Sequence, residues 1–193
     1  MADDTNPARF EPANVVNAFW LDRDIAQAAR WLVDSHVTSS VFECSMVLTT
    51  AVQLRGYGDE AEREDLYFTH ADHPLTQWAA RAHENWRYLH EYTARAHEEW
   101  QYRWDHEPDD RHGSWETVLG LDCERVAALD WPGPPGDPPQ VTGEWTADDY
   151  VDAYRRYYAN EKRDLFEWRK DRAAPPWLEE YRVADGSAGG PAE

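Results

Sequence analysis

Apolar positions recur along this chain at the three-to-four-residue spacing of helices, and no stretch alternates residue by residue as a half-buried strand would. The most apolar segment contains Val37, Val41, Phe42, Met46, Val47 and Leu48. It predicts a core helix that starts at Asp34 or Ser35, runs to about Leu54 and is ended by Gly56-Tyr57-Gly58. A second stripe comprises Leu75, Trp78, Ala82, Trp86, Leu89, Tyr92, Ala96 and Trp100. It predicts a helix from Leu75 to about Asp105, with Pro74 in its first turn.

Shorter elements fill the rest. Asp22 or Asp24 can cap a helix through Ala28, Ala29, Trp31 and Leu32, and a short helix is expected over Ser114 to Leu119. The last long helix is expected to be capped by Thr146, to carry Tyr150, Tyr154, Tyr157 and Tyr158, and to end near Lys170. Val15 to Leu21 reads as a short apolar, extended segment. The proline-rich run from Trp131 to Pro139 reads as a stiff crossing loop, because the segment after it is too short to fold alone. Residues 1–14 read as a flexible arm and residues 184–193 as a disordered tail. The expected architecture is all-α: a single-domain, irregular helical bundle of four to five helices over residues 15–183.

A seven-residue repeat runs from Ala82 to Tyr102 and sets His83, His90 and His97 in line. Successive members lie ~10 Å apart along a helix axis, whereas Zn–N bonds are about 2 Å long. They cannot share one ion, and a solvated face is the preferred reading.

Charge changes the picture. Against 38 acidic residues stand 19 basic ones, for a net charge of −19, and only Lys162 and Lys170 among the basic residues are lysines. Such a surface repels itself at low ionic strength and is relieved by salt. The expectation is a protein of a salt-rich cytosol, cytoplasmic in a halophilic archaeal cell or belonging to its virus. Acidity argues against a broad nucleic-acid-binding face, but an acidic coat leaves room for a local arginine-lined pocket. No signal peptide and no run of 18 apolar residues is read, so no membrane association is expected. Cys44 and Cys123 are expected to be reduced, with Cys44 a small buried hydrophobe.

Three groups of residues can carry chemistry. His36 and Glu43 lie seven apart and share one face of an apolar helix, where an ionisable group is costly to bury unless it is paired. With His70 and His73 from Thr69-His70-Ala71-Asp72-His73-Pro74 they form either a divalent-metal set or a metal-free acid–base group. The plain alternative is a buried polar network. The second group is Asn85, Glu99 and Arg103, whose plain reading is a surface ion pair. The third is Tyr154-Arg155-Arg156-Tyr157-Tyr158 with Lys162, suited to phosphate or base contacts, against an amphipathic helix with its basic residues outward. Absent are a Gly-rich phosphate loop, GxSxG, HExxH and the Glu-x-x-His pair of di-iron bundles. This argues against P-loop nucleotidases, serine hydrolases, zincins and ferritin-like oxidases.

These residues resemble a family of small helical proteins of phage and microbial genomes that has no assigned reaction. Its Leu-Asp-x-Asp is matched by Leu21, Asp22 and Asp24, and its paired alanines by Ala28 and Ala29. Its Asp-x-His-Val with a later Glu is matched by Asp34, His36, Val37 and Glu43. Its Thr-His-x-x-His-Pro-x-x-x-Trp is matched by Thr69, His70, His73, Pro74 and Trp78. Its later motifs are matched by Asn85, Glu99, Trp100, Arg103 and His112, and then by Tyr154, Arg155, Tyr157, Tyr158, Lys162 and Trp168. The chain departs at Ser35 and Ser39, where the family often places Lys. The resemblance implies that these polar groups act together and adds His112 to the binding set.

The expectation is therefore an enzyme of nucleotide or nucleic-acid metabolism, of viral or cellular origin. His36, Glu43 and His73 are the catalytic candidates. Asn85, Glu99, Arg103, His112, Tyr154, Arg155 and Lys162 are the substrate contacts, with Arg103, Arg155 and Lys162 on phosphate. The partner is a phosphate-bearing small molecule or nucleic acid. A metal-dependent hydrolase using His36, Glu43, His70 and His73, and a non-catalytic viral accessory or virion protein, are the alternatives.

Overall fold

The computed structural model describes residues 16–59, 61 and 64–183, so the arm over residues 1–14 and the tail over residues 184–193 lie outside the described residues. Every regular element among them is helical. In order they are α1 (Ile25–Trp31), α2 (Asp34–Leu54), α3 (Pro74–Ala79), α4 (His83–Arg103), α5 (Gly113–Leu119), α6 (Cys123–Ala127) and α7 (Tyr150–Glu161), with a 3-10 turn at Arg163–Leu165. The bundle is all-α, with more helices than four or five because several are single capped turns.

α2 is the axle, packed against α3, α4 and α5, while α1 packs on α4. Val37, Val41, Cys44, Val47 and Leu48 of α2 meet Leu89, Tyr92 and Ala96 of α4 in the core. By length and composition α2 would also suit a membrane span, but 67% of that window is buried inside the domain, as in a central core helix.

The caps follow from side-chain chemistry. Asp24 accepts the N–H groups of Ala26 and Gln27 to start α1, and Asp122 and Asp149 do the same for α6 and α7. α2 ends in a Schellman turn. Gly56 takes φ +88°, its N–H donates to the Gln53 carbonyl, and the Tyr57 N–H donates to Val52, both at 3.0 Å.

Two expected helices are divided or shortened. The Leu75–Asp105 helix breaks between α3 and α4, where Ala82 is extended at φ −143°, ψ 144°. Ala79-Ala80-Arg81-Ala82 favours helix by propensity, but tertiary bonds override it. Asn85 Nδ2 donates to the Trp78 carbonyl at 2.8 Å, and the Gly133 N–H donates to that of Arg81 at 3.0 Å. α7 is capped by Asp149 rather than Thr146 and ends at Glu161, well before Lys170. Beyond it the chain leaves the helix to form a strap across the start of α2, where the Glu167 carbonyl accepts the Asp34 N–H at 2.9 Å. α2 has no side-chain cap, so this carbonyl satisfies one of its free N–H groups.

The histidines of α4 do not form a solvated face. They interleave with tryptophans: His83 stacks near Trp86, Trp86 near His90, and His90 packs on Trp115 at 4.9 Å between ring centres. His97 is only 4% exposed and lies between Trp100 and Trp115. The heptad placed the imidazoles correctly in line, but α5 covers that line.

Candidate functional site

Two helical stripes and one extended segment supply the site. α2 presents His36, Ser40 and Glu43 at intervals of four and three residues, one face of a helix. α7 presents Tyr154 and Tyr158, and Lys162 comes next at its C-cap. The apolar segment before α1 runs between them. Phe19 stacks on His36 at 4.3 Å and 15° and faces Tyr157 at 6.3 Å and 12°. Its backbone is pinned by an N–H donated to Tyr92 Oη at 3.0 Å.

The tautomer of His36 follows from hydrogen-bond accounting. Tyr158 is fully buried, and its Oη accepts the Val33 N–H at 2.8 Å. Its own proton needs an acceptor, and His36 Nδ1 lies 3.0 Å away. We therefore assign Nδ1 as the acceptor and Nε2 as the protonated nitrogen. Burial, helped by the positive charge of Lys162, pushes the imidazole down to about 3 from its ordinary 6.5. His36 is thus a neutral hydrogen-bond donor at physiological pH. Burial also raises the Tyr158 phenol well above its ordinary value, which keeps it a donor.

Glu43 accepts the Asn17 N–H at 3.0 Å through Oε2. Burial lifts its carboxyl above the ordinary range, while that N–H and the charge of Lys162 pull the other way. Lys162 lies over the Tyr157 ring at 4.9 Å and 6.0 Å from the centre of the Phe19 ring. Among the described residues its ammonium has no carboxylate within ion-pair distance. One ammonium thus acts on both a neutral imidazole and a half-buried carboxylate around an aromatic sandwich.

His73 is not part of this group. Its Nδ1 accepts the Leu75 N–H at 3.2 Å and so caps α3, while His70 faces it at 6.4 Å between ring centres. Their loop is tied to the far end of α2, where the Thr69 N–H donates to Thr50 Oγ1 at 3.1 Å. Thr50 lies fourteen residues past His36, ~21 Å along a helix axis. The expected catalytic trio is therefore a pair, His36 and Glu43. The expected metal set of His36, Glu43, His70 and His73 is spread along one helix, with His36 at its start, Glu43 mid-helix and the His70–His73 loop at its far end. Among the described residues no three His, Cys, Asp or Glu side chains converge on a metal position.

Most of the expected substrate contacts are occupied by the protein itself. Arg103 has a side chain with 0% exposure. It donates to Glu99 at 3.1 Å, to Asp34 at 3.0 Å, and to the carbonyls of Leu32 and Arg30 at 2.7 and 2.9 Å. Arg172 forks onto both Glu99 oxygens at 2.7 and 2.8 Å, and Arg169 reaches Asp34 at 3.1 Å. The Glu99–Arg103 pair, expected at the surface, is the centre of a buried network that fastens the end of α1, α4 and the C-terminal strap. Arg155 donates to the Leu21 carbonyl at 2.8 Å and to Asp22 at 3.0 Å, with Trp31 and Trp177 around its guanidinium. Arg103 has no fork left for phosphate, and the Nε–Nη2 edge of Arg155 is taken.

The remaining contacts are also structural. Asn85 joins Trp78 to the Gly136 N–H. His112 pairs with Ser114 at 2.8 Å, and its N–H donates to His97. Tyr154 Oη is shared among Asn17, Pro139 and Val141. Of the seven expected substrate contacts, Lys162 alone faces His36 and Glu43 unpaired. Phe19 and Asn17, which complete the site, were not among the expected residues, and Tyr158 was expected only within the Tyr154–Lys162 group. The one signal in the sequence was the four-residue interval from Tyr154 to Tyr158 to Lys162. Set against known protein families, curated proteins and solved structures, the chain has no significant match to any of them.

Proposed function

We propose that this chain binds a phosphate-bearing ligand with a planar base, a nucleotide or a nucleic-acid end, at the His36–Glu43–Lys162 site and moves a proton on it. The observation that carries the reading is Lys162: an ammonium beside two aromatic rings, with no carboxylate partner among the described residues. In so acidic a chain an unpaired cation facing a buried histidine has a ready use as a phosphate contact. The His36 Nε2–H is a neutral donor, suited to a phosphoryl or base oxygen. Glu43, raised by burial, is the group suited to accept a proton.

The test is equilibrium binding of nucleoside monophosphates, nucleoside triphosphates and short single-stranded DNA at a salt concentration that keeps the chain folded. The reading expects saturable binding of at least one, weakened about tenfold or more in Lys162→Gln, a loss of about 1.4 kcal/mol. If none binds, or if Lys162→Gln binds as well as the wild type, the reading fails. The metal-hydrolase alternative lacks a converged ligand set, because His36 is at the start of α2 and the His70–His73 loop is tied to its far end.

A further inference from the structure

We infer that the chain carries a second, separate anion site, built from Arg55, Arg81 and Trp78, and that it takes a phosphate-type oxyanion. Arg55 lies nineteen residues beyond His36, ~28 Å along a helix axis, so this site shares no residue with the His36 group.

A cavity of about 520 Å³ near the C-terminus is lined by both acids and bases, Glu144, Asp152 and Glu180 among them. The cavity between the C-terminal ends of α2 and α3 and the proline-rich loop differs in kind. It measures about 440 Å³ and is lined by Arg55, Gln77, Trp78, Ala80, Arg81 and Pro132. Two guanidiniums face it, and no carboxylate is among its described lining residues. In a chain of net charge −19, a wall of two cations without an acid departs from the surface elsewhere. Its volume lies in the range of small-molecule sites, about 300–1,000 Å³.

Neither guanidinium is used by the fold. Arg23, Arg95, Arg103, Arg155, Arg169, Arg172 and Arg182 each sit in an ion pair. Among the described residues Arg55 and Arg81 appear in no ion pair, as do Arg30, Arg87, Arg111 and Arg156, but none of those four lines this cavity. The Nε of Arg55 is buried without a hydrogen-bond partner, so no group of the fold holds this guanidinium in place. The other polar groups of the wall are committed elsewhere. Gln77 Nε2 donates to the Ala71 carbonyl, and Trp78 Nε1 donates to Gly136. The donors left to the cavity are the two guanidiniums, whose planar forks match the oxygens of a phosphate.

Both are held in place by backbone features. The Schellman turn at Gly56 fixes Arg55 at the C-terminal end of α2. Gly133 gives Arg81 its position: a Cβ added there would lie 2.8 Å from Arg81 Nε and 3.0 Å from its Cγ. The glycine is therefore a notch into which the Arg81 side chain fits. Simple complementing of helix C-termini would account for two cations near the ends of α2 and α3. It would not account for a buried Arg55 Nε that reaches no carbonyl.

The test is titration of the full chain with inorganic phosphate and with ribose 5-phosphate at fixed ionic strength, followed through the Arg Nε–H and Trp indole NMR signals. Saturable shifts of the Arg55 and Arg81 signals are expected. Affinity read at the Arg55 and Arg81 signals is expected to fall tenfold or more in Arg55→Gln and, at the remaining signals, in Arg81→Gln, to fall in Gly133→Ala, and to stay unchanged at those signals in Lys162→Gln, whatever that variant does to the His36 site. Arg81 is exposed, so its variant tests the site even if Arg55→Gln is poorly folded. Tighter binding of ribose 5-phosphate identifies an organic phosphate as the ligand, and equal binding identifies the free anion. Absence of saturable shifts, full retention of affinity in Arg81→Gln, or loss of binding at those signals in Lys162→Gln overturns the inference, and the last outcome would assign the anion to the His36 site instead.

Discussion

Tyr158 donates its phenolic proton to Nδ1 of His36 at 3.0 Å while accepting the Val33 N–H on the same oxygen. One buried hydroxyl thus fixes both the entry to α2 and the tautomer of the histidine in its first turn. Removing the hydroxyl in Tyr158→Phe strands a buried N–H and frees the imidazole. Such a loss destabilises by about 1–3 kcal/mol. We expect a lower Tm and, by nitrogen-15 NMR, a His36 no longer held as the Nε2–H tautomer. An unchanged tautomer in Tyr158→Phe would contradict the assignment.

The network around Arg103 makes a different prediction. Arg103→Met leaves Asp34 and Glu99 in the interior without their central partner, and breaking a buried pair costs about 3–5 kcal/mol. Thermal melts should show a Tm lower by roughly 10 °C, on a scale of about 2–4 °C per kcal/mol for chains near this size. Ligand binding by the folded fraction should be unaffected. A folded Arg103→Met that has lost nucleotide binding would return this residue to the site.

Acid should unfold the chain through its buried imidazoles. His36 is held at about 3 and His97 at about 4, both below the ordinary 6.5, so between these values the unfolded chain binds more protons than the folded one. Stability is then complete above about pH 6.5 and falls as pH drops. His36 alone should account for about 3 kcal/mol by pH 4.5. Denaturant melts from pH 7 to 4.5 measure this loss. In His36→Phe the slope should flatten, and an unchanged slope would show that His36 titrates normally.

The fold was largely legible in the sequence, and the site was legible in part. Periodicity and glycine located α2 to within a residue, because its apolar run and its Schellman turn are both local. The break at Ala82 was not legible, since four helix-favouring residues are overruled by bonds from Asn85 and Gly133. His36 and Glu43 stood out as polar residues in an apolar helix. The separation of His73 could not be read, because helix spacing says nothing about which end of α2 a later loop will reach. Arg103 and Arg155 looked like phosphate contacts for a related reason. A sequence shows a guanidinium but not whether carbonyls from α1 and carboxylates from a distant strap already occupy it.

Salt dependence is a consequence of the charge balance alone. With a net charge of −19, raising KCl from low to molar concentration should screen self-repulsion and raise the Tm steadily. A flat melting curve across that range would remove the reading of the chain as adapted to a salt-rich interior.

The most direct test of the site as one electrostatic unit is the titration of His36 and Glu43 by NMR in the wild type and in Lys162→Gln. Lys162 depresses both groups, so removing its charge should move both pKa values upward together. If neither moves, Lys162 is too distant or too well solvated to act on them, and the three groups do not form one site.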